Sequence, residues 1–274
     1  MLEPLFADHP GQTFFIVGTG ASVNGLTPPD WQAIAAGRSL SINMGILAPV
    51  AFDLCSFEFM PNAFWAETVA RHLRARGQGV LWVEDRPAHR SPFLEDLAAE
   101  FPMHRYAPVD VSHGGQAAHL RRVWRAEMRA VVRAGRDLRL SYALIGSVAR
   151  AVLLGLALGY RRICLVGIDQ NANPYFWQEP GAVVPWHDPS GVTAAHPTSG
   201  LLQAGLVQAG LVRAGLVRAG LVRAGPLQAG QSPDGVSLRA FLQILAEEEG
   251  LQLTLLDPAR RSALSAAFPQ WDGA

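Results

Sequence analysis

The residues best suited to hold an anion lie in the segment IVGTGAS, residues 16–22. Gly18, Gly20 and Ser22 follow directly on a buried apolar run, where backbone N–H groups can approach a phosphate with no Cβ in the way. The spacing departs from the full dinucleotide fingerprint because position 23 is valine where the third glycine would stand. A tight turn without a ligand is the alternative. The place at the end of the first predicted strand favours a nucleotide-type ligand.

A second group of candidate residues spans positions 145–177. There a helical segment leads into the strand-like run RRICLVGID, which is followed by the polar and aromatic loop QNANPYFW. Loops at the carboxyl ends of parallel strands are where such folds bind ligands. Asp169 is a candidate acid or metal ligand, and a carboxylate that caps a loop is the alternative. Because no HxH, HExxH or paired-carboxylate spacing accompanies Asp169, we predict no metal site.

These two segments need a scaffold, and the chain supplies alternating strand-like and helix-periodic runs. The predicted strands are 13–17, 39–42, 52–56, 79–83, 163–166 and 251–255, and the predicted helices are 63–76, 115–133, 143–158 and 236–249. The alternation predicts βαβ units. We therefore expect one α/β domain over residues 1–274, doubly wound and Rossmann-like, with a mostly parallel sheet.

The composition excludes several kinds of chemistry. All 23 basic residues are arginine, which rules out a Walker A lysine, a Schiff-base lysine and pyridoxal-phosphate catalysis. The formal net charge is zero and the arginines are spread along the chain, so we expect no nucleic-acid partner. Cys55 and Cys164 lie in separate apolar runs, which is typical of small buried residues.

Two segments bear on localisation. The first ten residues carry Glu3 and Asp8 and no basic residue, so they lack the pattern of a signal peptide. The longest apolar stretch, 142–158, is shorter than a bilayer span and contains Arg150, which favours a buried helix. We expect a cytoplasmic protein with no transmembrane span, and the sequence leaves open whether it forms a homo-oligomer.

Residues 201–230 form a low-complexity array of five-residue units, most of them LVRAG or LVQAG. A period of five matches neither a helix nor a strand. A pentapeptide-repeat β-helix is the alternative, but six units complete only about one and a half coils. The glycine in each unit also favours flexibility. We predict a mobile insertion, which limited proteolysis would test.

Taken together, GTGAS after the first strand, IGS at a helix start, and LGYRRICLVGID with Tyr175 six residues further on resemble the bacterial sialyltransferases of glycosyltransferase family 42. The likeness covers the first strand and turn, residues 142–177 and residues 236–258. It implies a GT-A-like variant of the fold. It also implies inverting, metal-independent transfer of sialic acid or a related acidic sugar from a CMP-activated donor to a glycan acceptor, as in lipopolysaccharide or capsule synthesis. The donor is a substrate, and no cofactor is implied.

The resemblance also implies a set of nucleotide contacts. Thr19 and Ser22 lie where the family's GNGPS turn contacts the nucleotide. Asn43 lies where an asparagine after the second strand does so, and Ser147 where a serine lies near the cytidine ribose and phosphate. The other candidates for this site are Gly18, Gly20, Gly167, Asp169 and Asn171.

Two positions depart from the family pattern. Family members place two tyrosine hydroxyls on the departing phosphate, and Tyr175 fits one of these positions. The other, two residues after Asp169, is Asn171. The family's asparagine at the end of the third strand falls near Glu58 or Phe59. These departures leave room for a different donor, such as another ulosonic acid.

The implied transfer needs a general base, because the acceptor hydroxyl loses its proton as it attacks an oxocarbenium-like anomeric carbon. Imidazole titrates in the right range, and the family's base is a histidine in the loop before the last long helix. His187 in PWHDPSG and His196 in AAHPTSG both precede that helix. We prefer His196, whose HPTS most resembles the family's His-Ser pair. For either histidine, an exposed loop residue with no role is the alternative.

Two further functions stay open at this point. Pyrophosphokinases of the MptE-like type also carry a GxGPS-like turn and a G(I/V)D strand end. They require magnesium, which favours carboxylate clusters, and the chain offers Glu84 and Asp85 beside a strand end. The other is a degenerate, non-catalytic nucleotide-binding or scaffold protein, with the LVRAG array as an interaction segment.

Overall fold

A computed structural model describes residues 5–7, 11–57, 60, 62–77, 79–85, 91–110, 117–134, 140–143, 146–170, 174–187 and 233–273. Its strands are β1 (Thr13–Val17), β2 (Arg38–Ile42), β3 (Leu54–Phe57), β4 (Val80–Glu84), β5 (Met103–Asp110), β6 (Leu140–Ala143), β7 (Arg162–Val166) and β8 (Gln252–Leu256). They form one sheet in the order β6-β5-β4-β3-β2-β1-β7-β8, and every pair of neighbours is parallel.

Helices cover both faces of this sheet. The α-helices are α1 (Pro28–Ala36), α2 (Ala63–Arg76), α3 (Pro92–Glu100), α4 (Ala117–Val123), α5 (Arg129–Ala134), α6 (Gly146–Ala157) and α7 (Pro233–Glu249). A π-helical turn, Trp124–Met128, joins α4 to α5, and short 3-10 helices lie at Ala21–Gly25, Asn43–Leu47, Phe176–Gln178 and Ala263–Ala266. The prediction of a Rossmann-like α/β fold is confirmed.

Strand β1 shows why both faces are covered. Phe14 and Ile16 belong to one buried apolar cluster, and Phe15 and Val17 belong to another. Successive side chains of a strand point to opposite faces of the sheet, so an uninterrupted apolar strand requires a packed layer on each side. The sheet is therefore the middle of three layers.

The strand order places a topological switch point beside β1. From β1 the sheet grows outward to β6, and the chain then returns to add β7 on the other side of β1. The connections that follow β1 and β7 therefore leave the carboxyl ends of these two strands in opposite directions. Open α/β sheets bind their ligands at such a switch point.

Four elements were not expected from the sequence. β5 contains Arg105 and Pro108 and lacks regular alternation, and of the four residues of β6 only Ala143 was included in a predicted element, the helix at 143–158. α1 and α3 are short and begin with proline, although both carry start signals. The backbone N–H of Thr27, just before α1, donates to Asp30 at 2.7 Å, and Ser91 caps α3.

Four arginines of α4, α5 and the π-helical turn between them are paired with the end of α7. These are Arg121, Arg125, Arg129 and Arg133, and their partners are Glu247, Glu248 and Glu249. Three carboxylates at the C-terminal end of a helix oppose its dipole. The arginine row neutralises them and ties α7 to this helical layer, and it lowers the pKa of Glu248 through hydrogen bonds from Arg125 and Arg121.

Three predictions from composition and repeats can be compared with the structure. Cys55 and Cys164 are buried free thiols, and burial raises the pKa of each to about 12. In the part of the chain that the structure describes, no helix combines the length and the apolar character needed to cross a bilayer. The repeat array at 201–230 lies outside the described residues.

Candidate functional site

The turns that follow β1 and β7 pack directly against each other. The N–H of Gly18 donates to the carbonyl of Val166 at 2.8 Å, and the N–H of Gly20 donates to the carbonyl of Gly167 at 2.8 Å. A Cβ on Gly18 would lie 2.6 Å from the Gly167 carbonyl oxygen, and one on Gly167, whose φ is +64°, would overlap Val23. The contact between the two turns therefore requires these glycines.

The carboxylate of Asp169 fills the space that Gly20 leaves open. A Cβ on Gly20 would lie 2.5 Å from Cγ of Asp169 and 2.7 Å from both of its carboxylate oxygens. The N–H of Ser22 donates to Oδ2 at 3.1 Å, and the Ser22 hydroxyl donates to Oδ1. Burial raises the pKa of Asp169, while the bonds from Ser22 act in the opposite direction. The anion position of this turn is therefore occupied by a carboxylate of the chain itself.

The segment after β8 holds the β7 turn in place. The Ser262 hydroxyl donates to the carbonyl of Ile168 at 2.6 Å, and the N–H of Ala263 donates to the carbonyl of Asp169 at 2.7 Å. Asp257 accepts the N–H of Ser262 at 2.7 Å. Asp169 is thus anchored through its backbone as well as through its side chain.

An ion pair closes the outer side of the first turn. The Arg261 guanidinium bonds Glu179 at 2.9 Å and also donates to the carbonyl of Ala21 at 3.2 Å. The Asn24 amide donates to Glu179 at 3.0 Å. The hydrogen bond from Arg261 holds the pKa of Glu179 below its usual range. This contact could not be predicted from the sequence, because Asn24, Glu179 and Arg261 lie in three segments that are far apart along the chain.

Two polar side chains at the carboxyl edge of the sheet, after β1 and β2, are available to a ligand. Asn43 follows β2 directly with a left-handed backbone (φ +49°), and Thr19 lies between the two glycines of the first turn. Both are half-buried, and within the described part of the chain neither side chain makes a hydrogen bond. Gly45 brings the Asn43 turn close to β1, since a Cβ there would lie 2.6 Å from the Val17 carbonyl oxygen.

Replacing Gly45 with alanine is expected to lower the free energy of unfolding by about 1–3 kcal/mol, because the added methyl group meets a backbone carbonyl that cannot rotate away. The loss of unfolded-chain entropy, worth about 0.4–1 kcal/mol, does not offset this. Gly25→Ala is the matched control, since its nearest contact would be 3.9 Å away. Urea unfolding measures both, and equal stability of the two variants would contradict the close approach at Gly45.

Tyr175 lies beside the glycine turn and forms an isolated antiparallel bridge with Gly20. Its ring stacks on Trp177, with centroids 4.6 Å apart and an interplanar angle of 9°. Burial raises the pKa of Tyr175 to about 12. The backbone bridge and the stacked ring together hold Tyr175 against the glycine turn.

Most of the predicted site residues converge on the carboxyl edge of the sheet. Those brought together are Gly18, Thr19, Gly20, Ser22, Asn43, Gly167, Asp169 and Tyr175. Ser147 lies in the first turn of α6, and His187 is exposed. Asn171, His196, Glu58 and Phe59 lie outside the described residues.

One buried ion pair at this edge was not predicted. Glu84, at the end of β4, bonds Arg150 of α6 at 2.8 Å, and their side chains are 2% and 6% exposed. Burial lowers the pKa of Arg150 to about 10. The pair ties the first half of α6, and with it Ser147, to the carboxyl end of the sheet.

No cluster of three His, Cys, Asp or Glu side chains that could hold a metal ion is found among the described residues. No protein-family model, no curated protein and no solved structure matches this chain. The resemblance to sialyltransferases therefore rests on sequence motifs alone.

Proposed function

We propose that this chain is a glycosyltransferase that transfers an acidic sugar of the sialic acid kind from a CMP-activated donor to a glycan acceptor, with inversion and without a metal. The observation that carries the proposal is the group of polar residues at the carboxyl edge of the sheet, where Thr19 follows β1, Asn43 follows β2, and Tyr175 forms a bridge with Gly20. A switch point of this kind is the ligand position of open α/β sheets. The class of donor comes from the motif resemblance.

In the proposed reaction, Thr19, Asn43 and Ser147 bind the nucleotide. The bond between the anomeric carbon and the phosphate oxygen breaks, and its electron pair leaves with CMP. Tyr175 donates a hydrogen bond to that phosphate. The acceptor oxygen bonds the anomeric carbon from the opposite face, and His196 takes the acceptor proton.

The pyrophosphokinase alternative depends on a pair of carboxylates at the end of β4. Glu84, one of the two, is bonded to Arg150 in a buried ion pair. The internal carboxylate at Ser22 also disfavours a pyrophosphate on the glycine turn. Both observations favour the transferase over the kinase. Thermal denaturation with nucleotides distinguishes the transferase from a scaffold that binds none of them.

Thermal denaturation with CMP, CDP, UDP, ATP and NAD, each with and without magnesium, tests the proposal. A ligand that binds only the folded state stabilises it by about 2.7 kcal/mol at a hundred times its Kd. We expect CMP to raise the melting temperature without magnesium. Stabilisation by ATP only with magnesium would favour the kinase, and no shift with any nucleotide would favour the scaffold.

A variant at Asn43 tests whether CMP binds at the carboxyl edge of the sheet. Asn43→Gly removes the side chain while glycine accepts the left-handed backbone, so we expect the shift produced by CMP to be lost. Arg260→Gly is the matched control, because Arg260 is also left-handed (φ +52°) and is exposed after β8. An unchanged CMP shift in Asn43→Gly would place the nucleotide elsewhere.

A further inference from the structure

Nucleotides that contain a pyrophosphate place it against the glycine turn after the first strand, on backbone N–H groups of that turn. Here the N–H of Ser22 is bonded to Oδ2 of Asp169 at 3.1 Å, and the Ser22 hydroxyl is bonded to Oδ1. We propose that Asp169 is a specificity-determining residue. It occupies the pyrophosphate position on the glycine turn after β1 and prevents nucleotides with a diphosphate from binding there.

The space available at the turn supports this assignment. The glycine at position 20 would normally let a ligand approach the backbone, but the Asp169 carboxylate already lies 2.5–2.7 Å from where a Cβ would be. An atom of a ligand cannot share that volume. The bonds from Ser22 hold the carboxylate in this place. The backbone cannot shift easily either, since the Asp169 carbonyl accepts the N–H of Ala263 at 2.7 Å and the neighbouring Ile168 carbonyl accepts the Ser262 hydroxyl.

Among the described residues, the charges around this turn do not provide a second anion position. Arg261, the cation whose charge acts on the Asp169 carboxyl, is bonded to Glu179 and to the Ala21 carbonyl on the outer side of the turn. A phosphate brought to the Ser22 N–H would therefore face the Asp169 carboxylate at the same donors, and like charges in contact oppose binding. A single phosphate bound further out, by the side chains of Thr19 and Asn43, avoids this conflict.

The inference deepens the proposed function, on which it rests for the identity of the natural ligand. It predicts that the donor carries one phosphate between nucleoside and sugar. The exclusion itself is independent of that identity, because inorganic pyrophosphate can replace the nucleotide as the probe.

Isothermal titration of inorganic pyrophosphate into wild type and Asp169→Ala tests the exclusion. Alanine removes both the charge of the carboxylate and the volume that it fills beside Gly20. We expect no saturable binding to wild type and a gain in affinity of at least about tenfold in the variant. Asp85→Ala is the matched control, because it removes the same side chain from the same sheet edge, one residue after β4, and should leave wild-type behaviour.

Pyrophosphate binding to wild type as tight as to Asp169→Ala would overturn the inference, and so would an equal gain in Asp85→Ala. Absence of binding to a folded Asp169→Ala protein would overturn it as well. If that variant fails to fold, Asp169→Ser takes its place, because serine is shorter and uncharged and its hydroxyl can still bond Ser22. A pyrophosphate gain together with no CMP binding to wild type would support the inference and reject the proposed function.

Discussion

Replacing Arg150 with methionine is expected to lower the free energy of unfolding by about 3–5 kcal/mol. Arg150 and Glu84 are joined by a 2.8 Å hydrogen bond in a place where both side chains are almost fully buried. Methionine has a similar length but no charge, so the Glu84 carboxylate would stay buried without this cation. Urea unfolding followed by circular dichroism measures the loss.

Two controls separate the buried charge from other effects of the substitution. Glu84→Leu combined with Arg150→Met removes both charges, and we expect it to recover most of the stability, because apolar replacements of a buried pair are often neutral. Arg74→Met removes the cation of an exposed pair with Glu100, 52% and 42% exposed, and should show no measurable loss. A double variant as unstable as Arg150→Met would show that packing, and not the loss of the cation beside Glu84, determines the effect.

Replacing His196 with alanine is expected to lower kcat by about 10²–10⁴-fold, the usual contribution of a positioned general base. The reaction to measure is release of CMP from CMP-sialic acid with water as acceptor, because the natural acceptor is not needed for it. Neutral imidazole is required to take the proton, so the wild-type rate should rise with pH through the range near 6.5 where histidine titrates. The variant should lose this rise.

His187→Ala is the control for the loop that contains both histidines. His187 is exposed and follows Trp186, which packs against Trp177. We expect near wild-type turnover in this variant. The reverse pattern would make His187 the base, and wild-type rates in both variants would exclude a histidine base from this loop.

The sequence predicted those elements whose boundaries are local. Strand β1 and helix α2 have the predicted bounds, because an apolar run between glycines and a helical period ending before Gly77 are visible without the rest of the chain. β6 was not predicted because its four residues are followed closely in the sequence by the apolar residues of helix α6. α1 and α3 had readable N-cap and proline signals that a search for long periodic segments passes over.

The candidate site was predicted as a set of residues but not as a set of contacts. Glycines and a serine after β1, and an aspartate after β7, indicate the right edge of the sheet. Nothing local shows that Asp169 bonds Ser22, 147 residues away, or that Arg150 bonds Glu84, 66 residues away. Such partners depend on which strands become neighbours, which the order of elements along the chain does not settle.

The same strand order determines when this protein can finish folding. β1 lies inside the sheet, yet its neighbour β7 is synthesised only after β2 to β6. Contacts between residues so far apart in sequence form late and slow the folding reaction. Until β7 has left the ribosome, β1 can pair with β2 on one side only. It is then an apolar edge strand, which makes the nascent chain prone to aggregation.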